Sequence, residues 1–356
     1  MTFSQRVVSI TQDKILPKVT DNYLSDNFAT FRFISNGSAW SGETLKRPVK
    51  LSKNTLGGSF SGLDEHSTST VNTRQTMSYD VRAYEIPVAV PGLERAVNQT
   101  DAQVLNLVRV ELESSMEDAL DDTGDMFYGD GTGNDSKDFN GLGNIVDDGT
   151  TASTIGNLSR TTYPTLAGTR TASGGTMTLN KIGTLISAVS AGSSARQRPT
   201  LMISNETVWD LAESLLTPTV QSNYEANGFP MVTRRSRGVM TAASLKGAQG
   251  FVSIVLRGIP YVGDEKSTSQ TLWAVNENYL DWYGLKDSEL KSISLGAGAN
   301  IDGVYAEPPT ENTGLQWTGF LQPTNVYGKV AHVYLLGNLV TFQPRRHGRL
   351  TGITGV

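Results

Sequence analysis

The chain has 356 residues, with 30 Lys and Arg against 35 Asp and Glu for a formal net charge of −5; at about 150 residues per domain this gives roughly two domains. It contains no Cys, which excludes disulfides, thiolate metal sites and thiol nucleophiles, and its net acidity argues against a dedicated nucleic-acid binder. Gly is abundant at 36 residues and charged residues sparse at 18%, and no apolar run reaches the roughly 18 residues of a membrane span.

Residues 1–35 read as an N-terminal arm. Ile15, Leu16, Val19, Tyr23 and Leu24 recur at near-helical spacing, and Pro17 favours a short helix starting near it over one passing through it. Residues 36–80 are rich in Gly, Ser, Thr and Asn, with β-type runs at 47–51 and 76–81 and a GGSFSG tip at 57–62. This stretch has too few large apolar residues for a core of its own. It is a long surface loop or an arm that reaches onto a neighbouring molecule. Residues 81–93 read as a strand, and Pro87 places it at a sheet edge.

The clearest helix spans 101–123. Thr100 and Gln103 have capping-box spacing. Val104, Val108, Leu112, Met116 and Leu120 repeat every four residues, Leu105 and Ala119 widen the stripe, and Gly124 is the expected stop. An Asp-rich loop follows at 129–146, then a Gly/Ser/Thr-rich stretch at 147–177. A second helix, 179–191, carries Leu179, Ile182, Leu185, Ile186 and Val189 on one face. Residues 201–203 read as a buried strand. Ser204 is the expected cap of a third helix, running to about Leu216 with Val208, Leu211, Ala212 and Leu215 inward. Residues 217–250 look irregular and contain the basic run RRSR. Strands are expected at 251–256, 259–262, 271–275, 330–336 and 338–342.

Charge is unevenly distributed. Residues 101–150 hold thirteen acids against Arg109 and Lys137, a net of −11. Residues 313–356 hold no acid and a net of +4, and residues 1–60 also sum to +4. The acids crowd the C-terminal end of the long helix, where the helix dipole disfavours them. A basic partner beside Asp121 and Asp122 would relieve that conflict, and the chain's own ends or those of a neighbour can supply it.

No motif assigns an enzyme. GDGTG at 129–133 follows a helix instead of leading into one and is surrounded by Asp, which suits a tight turn and not a phosphate cradle. Asp130, Asn134, Asp135, Asp138 and Asn140 lack the EF-hand spacing, leaving a solvated turn or adventitious calcium. Asp64 and Glu65 are neighbours in a loop, without the facing geometry of a hydrolase pair. His66, His332 and His347 are far apart in sequence. The basic run RRHGR at 345–349 suits DNA phosphates or an acidic helix of a neighbour equally well. No catalytic, cofactor-binding or metal-binding residue is assigned.

Several ordered segments resemble the major capsid proteins of tailed bacteriophages, with the Hong Kong 97-type fold. SAWSGETLKRPVK at 38–50 is similar to the start of that family's extended loop. The acidic helix followed by MFYGDGTG and NGLGNIV resembles its spine helix and exit turn, and RTTYP at 160–164 follows as in one branch. LMISNETVWDLAES, RGIPYVGD and LWAVNENYL resemble the strands and helix of its axial domain, and GNLVTFQPRRHGRLTGI resembles its C-terminal ending.

The resemblance implies an α+β chain with an N-arm (1–35), an extended loop (36–80), a peripheral domain (81–143 and 300–356) around the spine helix 101–123, and an axial domain (144–299). It implies a structural, non-enzymatic protein that assembles with itself into hexamers and pentamers of an icosahedral shell around double-stranded DNA, without sequence-specific binding, cofactor or membrane. Its other implied partners are a portal protein and a decoration protein. A separate scaffolding protein is expected too, because the arm begins almost at Met1. The location implied is the virion, after assembly in the host bacterial cytoplasm. The charge partition then predicts inter-subunit contacts through Lys46, Arg47, Lys50, Lys53, Arg345, Arg346 and Arg349 on the basic side and Glu117, Asp118, Asp121 and Asp122 on the acidic side. Two alternatives stand beside this reading. One is an encapsulin-type nanocompartment, which shares the fold and holds cargo enzymes. The other is a β-rich glycan-binding or hydrolytic protein, which requires Trp209, Trp273, Trp282 and Trp317 to converge.

Overall fold

The computed structural model describes residues 27–62, 64–98, 107–190, 197–216, 231–232, 239–240, 253–287, 290–292, 314–324 and 326–355. The helix expected near Pro17 and most of the stretch 217–250 lie outside the described residues.

The described helices are α1 (Phe28–Ser35), α2 (Gly92–Asn98), α3 (Leu107–Tyr128), α4 (Leu179–Val189) and α5 (Glu206–Leu216), with several single turns between them. The strands that build the two large sheets and the loop hairpin are β1 (Ser38–Ala39), β2 (Thr44–Lys50), β3 (Arg74–Asp80), β4 (Arg82–Pro91), β5 (Thr169–Thr171), β6 (Leu201–Ser204), β7 (Ser253–Leu256), β8 (Ile259–Gly263), β9 (Thr271–Val275), β10 (Leu280–Gly284), β11 (Lys291–Ser292), β12 (Leu315–Trp317), β13 (Gly328–Thr341) and β14 (Gly348–Thr351).

The first sheet is organised by β13. β4 pairs antiparallel along its first ten residues, from Gly328↔Pro91 to Gly337↔Arg82. β10 pairs with its end, from Gly337 to Thr341, and β12 with its middle. Among the described residues β4 has no second partner, so Pro87 costs no ladder bond, as its edge position requires. β13 runs unbroken through Gly337, where two strands are expected from the sequence. A Cβ there would strike the Tyr283 carbonyl oxygen and lie 2.8 Å from the Trp282 ring, so this glycine allows close crossing instead of ending a strand.

α3 packs on this sheet through Leu112, Ala119 and Phe127, all buried. Its 22 residues at about 1.5 Å each make a rod of roughly 33 Å. Residues 99–106, which hold the expected capping box, lie outside the described residues. Gly124 does not stop the helix, which continues to Tyr128. A Cβ at Gly124 would clash with the Asn27 side chain, whose Nδ2 donates to the Leu120 carbonyl at 2.8 Å.

The second sheet has the order β7–β8–β6–β9–β14–β5. β6 and β9 are buried along their whole length, which explains why both read as continuous apolar runs. On one face Met202, Tyr261, Leu272, Ala274 and Leu350 pack under α4 and α5. On the other, Leu201, Ile203, Trp273 and Val275 join the core that contains Phe127, Tyr128, Leu142 and Trp282. One core therefore links the two sheets.

Thr178 caps α4 by accepting from the Lys181 amide at 3.2 Å, and Ile182, Leu185, Ile186 and Val189 point inward, whereas Leu179 at the first position is exposed. The cap of α5 is Asn205, whose Oδ1 accepts from the Val208 amide at 3.2 Å. Ser204 is still in the strand, and its hydroxyl is bonded to Tyr261 instead.

Strand pairing departs from the sequence division at two places. β10 falls within 144–299 but joins the first sheet, because Leu280 and Trp282 fill the first core. β14 falls within 300–356 but lies between β9 and β5, because Leu350 packs into the second core.

β2 and β3 form a seven-pair antiparallel hairpin, Thr44↔Asp80 to Lys50↔Arg74. Its root is better anchored than the composition suggests. Trp40, Leu51, Met77 and Tyr79 bury themselves with Ile155, Leu166 and Val340 in a third cluster. Beyond the root, residues 52–62 and 64–72 are all exposed, including Phe60 at 68%.

Candidate functional site

The hairpin root lies against the C-terminal segment. The Leu51 amide donates to the Thr73 carbonyl at 2.9 Å, and Thr165 Oγ1 donates to the Leu51 carbonyl at 3.3 Å. The Tyr79 hydroxyl donates to the Thr341 carbonyl. Arg47 places its guanidinium 5.0 Å from the centre of the Phe342 ring, a cation–π contact that holds it in place. A groove of about 620 Å³ runs between these elements. Residues 47–53 form one wall and residues 342–346 the other, with Thr165, Leu166, Asn278 and Tyr279 between them.

The groove brings together residues far apart in sequence. Arg47, Lys50 and Lys53 come from the loop, and Arg345 and Arg346 from the tail, and among the described residues no carboxylate lines it. Arg345 is exposed, while Arg346 is 7% exposed; burial and then the Arg345 charge lower its pKa. Lys46 is exposed on β2 outside the groove lining.

The acidic residues divide. Glu117, Asp118 and Asp122 are exposed on α3. Asp122 accepts from the Tyr84 hydroxyl at 2.6 Å. Partial burial of that phenol, the hydrogen bond and the charges of Asp122 and Asp118 all raise its pKa, so it remains a donor. Asp121 is only 7% exposed, and Lys266 of the same chain pairs with it at 2.7 Å. The helix turns it inward toward the turn after β8. Arg349 is likewise buried. It pairs with Asp147 inside the chain and lies 5.5 Å from the Trp273 ring centre, where β14 carries it into the core.

Two buried carboxylates fix the frame around these surfaces. Asp147 accepts from the amides of Gly149, Thr151 and Ala152 at 2.9–3.0 Å and pairs with Arg349. Burial alone would raise its pKa, but the three amides and Arg349 outweigh it and lower the value. Asp264 accepts from the Ala29 amide at 3.0 Å and the Tyr128 hydroxyl at 2.8 Å, so it ties the start of α1 to the end of α3. The sequence reading missed Asp147 as an ion-pair partner, Asp264 and Lys266. The available signal was positional: Asp264 ends the strand run RGIPYVGD and Lys266 lies two residues beyond it.

The other motifs remain separate. Among the described residues no three His, Cys, Asp or Glu converge as a metal site. Asp130 accepts from Thr132 within the turn, and Asp64 accepts from the exposed Ser61 amide. Trp273, Trp282 and Trp317 are core residues at 1–3% exposure, and Trp209 packs against the second core. Trp273, Trp282 and Trp317 share the first core and Trp209 lies on the second, so the four do not meet at one place as the glycan-binding alternative requires.

A comparison with protein-family models finds no match, and neither does one with curated proteins. Solved structures do match over nearly the full length. The capsid asymmetric unit of cyanophage A-1(L) superposes with a TM-score of 0.70 at 14% identity, over 99% of this chain and 100% of that one. The capsid of Myoviridae phage XM1 gives 0.54 at 13% identity, covering 99% of each chain. The fold is that of the tailed-phage major capsid proteins. The SrpI encapsulin of Synechococcus elongatus has the same architecture, with a TM-score of 0.55 at 11% identity over 99% of this chain and 96% of that one.

Proposed function

We propose that the chain is the structural subunit of a phage capsid, assembling with itself into hexamers and pentamers of an icosahedral shell that encloses double-stranded DNA. The observation that carries this reading is the whole-chain match to capsid subunits, loop included. The physical support is the loop itself. Residues 52–62 and 64–72 project from the body, exposing Leu56, Phe60 and Val71. Such a segment gains packing only from a neighbouring molecule.

The subunit's role is mechanical and not catalytic. Its residues 36–80 act as the extended loop and α3 as the spine. The peripheral domain is built around the first sheet and the axial domain around the second. Lys46, Arg47, Lys50, Lys53, Arg345 and Arg346 on one side, and Glu117, Asp118 and Asp122 on the other, contribute to inter-subunit contacts. Each exposed pair contributes only about 0–1 kcal/mol, but a closed shell repeats each contact many times. Portal, scaffolding and decoration proteins are the further partners, and the virion is the location.

The encapsulin match supports a second reading, a shell holding protein cargo. Expression of the full chain, followed by sedimentation and electron microscopy, tests both. Closed particles support a shell, and DNA or protein content separates the two readings. A protein that stays monomeric with its scaffold present contradicts both.

A further inference from the structure

One subunit by itself builds a concave cationic site. The groove between the hairpin root and the tail has a volume of about 620 Å³, within the roughly 300–1,000 Å³ of small-ligand sites. Arg47, Lys50, Lys53, Arg345 and Arg346 line it. Among the described residues, no carboxylate forms an ion pair with Arg47, Lys50, Lys53 or Arg345. We propose that this groove binds a phosphate chain, from a nucleic-acid backbone or a free polyphosphate. The site is complete in one subunit. The shell reading bears only on whether enclosed DNA supplies the phosphate.

The arrangement calls for an anion. Like charges gathered in one groove repel one another and destabilise it. Arg345 and Arg346 are close enough for the charge of one to lower the pKa of the other, in addition to burial. An anion held between the walls removes that repulsion. Arg47 is already positioned, with its guanidinium on the Phe342 ring. Stacking engages the face of a guanidinium and leaves its edge N–H groups for an acceptor. Three of the five cations are arginines, whose planar fork fits two phosphate oxygens at once.

Charge density selects phosphate over an acidic peptide. A nucleic-acid strand carries one charge per about 3.4 Å of duplex axis. An extended peptide places side chains on one face only at every second residue, about 6.5 Å apart. Five cations in so small a groove match the denser chain. The hairpin supplies Arg47, Lys50 and Lys53, and the turn at Pro344–Arg346 supplies the other two. One bound phosphate chain therefore ties the loop root to the tail, which the Leu51 and Thr165 hydrogen bond already brings to the same wall.

Binding to the unassembled full-length subunit tests this. The probes are a fluorescent single-stranded DNA oligonucleotide, inorganic tripolyphosphate and poly-glutamate. With three or more phosphates engaged, log affinity for the oligonucleotide should fall against log salt with a slope of about −2 or steeper. Lys50→Gln with Arg345→Gln should weaken binding by about tenfold or more and flatten the slope by about 1.4, with unchanged thermal melting. Lys137→Gln with Lys286→Gln removes the same charge at exposed positions outside the groove and should bind as wild type does. Displacement of DNA by tripolyphosphate assigns the site to free polyphosphate as well, and DNA binding that tripolyphosphate leaves intact assigns it to the nucleic-acid backbone; both support the proposal. It is overturned if neither phosphate probe binds, if the two variant pairs weaken binding alike, or if poly-glutamate displaces DNA as well as tripolyphosphate does, which would assign the groove to an acidic protein. If the groove variant fails to fold, acetylation of the wild type serves. Tripolyphosphate or DNA should slow modification of Lys50 and Lys53 relative to Lys137, and equal rates overturn the site. Subunits that bind phosphate but never form particles remove the shell reading and leave the site, whereas shell-forming chain that binds neither phosphate probe removes the site alone.

Discussion

Lys266 Nζ lies 2.7 Å from Asp121 Oδ2 and 3.2 Å from Asp125 Oδ2, bridging the spine helix to the turn that leaves the second sheet. The Asp121 and Lys266 side chains are 9% and 16% exposed. Replacing Lys266 by Met would remove this cation from a buried carboxylate, at a cost of up to about 3 kcal/mol. Urea denaturation of the unassembled subunit measures this. Burial alone would lower the Lys266 pKa, but the hydrogen bonds and charges of Asp121 and Asp125 raise it above 10.5. The pair's contribution is therefore complete below that value and is lost as pH rises through the raised pKa. Lys266→Met should lose that alkaline limb.

Asp264 accepts from donors that include the Ala29 amide, the Tyr128 hydroxyl and the Lys266 amide. Asp264→Asn keeps the shape but turns an NH2 toward these donors. It should destabilise by about 2–3 kcal/mol, whereas Tyr128→Phe, which removes one bond, should cost about 1 kcal/mol. Equal losses in the two variants would show that the carboxylate does not join α1 to α3.

His347 is fully buried, and its Nδ1 accepts from the Asn276 amide at 3.2 Å. Burial lowers its pKa from 6.5 to about 3, against a weaker opposing hydrogen bond with the Tyr279 backbone. The unfolded chain binds a proton near pH 6.5 and the folded chain does not. Stability from this group is therefore complete above pH 6.5 and declines as pH falls toward about 3. In His347→Gln this part of the acid slope should vanish, at some loss of stability at pH 7. Denaturation midpoints across that range check it, and an unchanged slope would show that His347 is not the proton-linked group.

Gly337 lies where β4, β10 and β13 meet. Gly337→Ala places a methyl group against the Tyr283 carbonyl and the Trp282 ring. Overpacking at such a site costs about 1–3 kcal/mol. Hydrogen exchange should show the loss concentrated in the β10–β13 ladder. Protection equal to wild type there would mean that the crossing has room to yield.

Local pattern made much of this architecture legible. The Leu201, Ile203, Trp273 and Val275 runs read as buried strands because both their faces are covered. The α4 stripe and Pro87 at an edge follow from spacing and from a missing N–H. Gly124 and Gly337 misled for the opposite reason: a glycine admits a close neighbour as readily as it ends an element, and only tertiary structure tells which. The site was half legible. Composition located the basic loop and tail, and the fold joins them in one groove. It could not show that Asp121 and Arg349 turn inward, because the partners that hold them, Lys266 and Asp147, lie 145 and 202 residues away.

The central claim is that this chain closes into a shell through its own loop and spine. A cryo-electron microscopy reconstruction of the assembled full-length chain tests it most directly. The account predicts icosahedral particles with five- and six-subunit capsomers, each loop at 52–72 resting on an adjacent copy. Particles in which every loop folds back on its own subunit, or a protein that remains monomeric beside its scaffold, would contradict it.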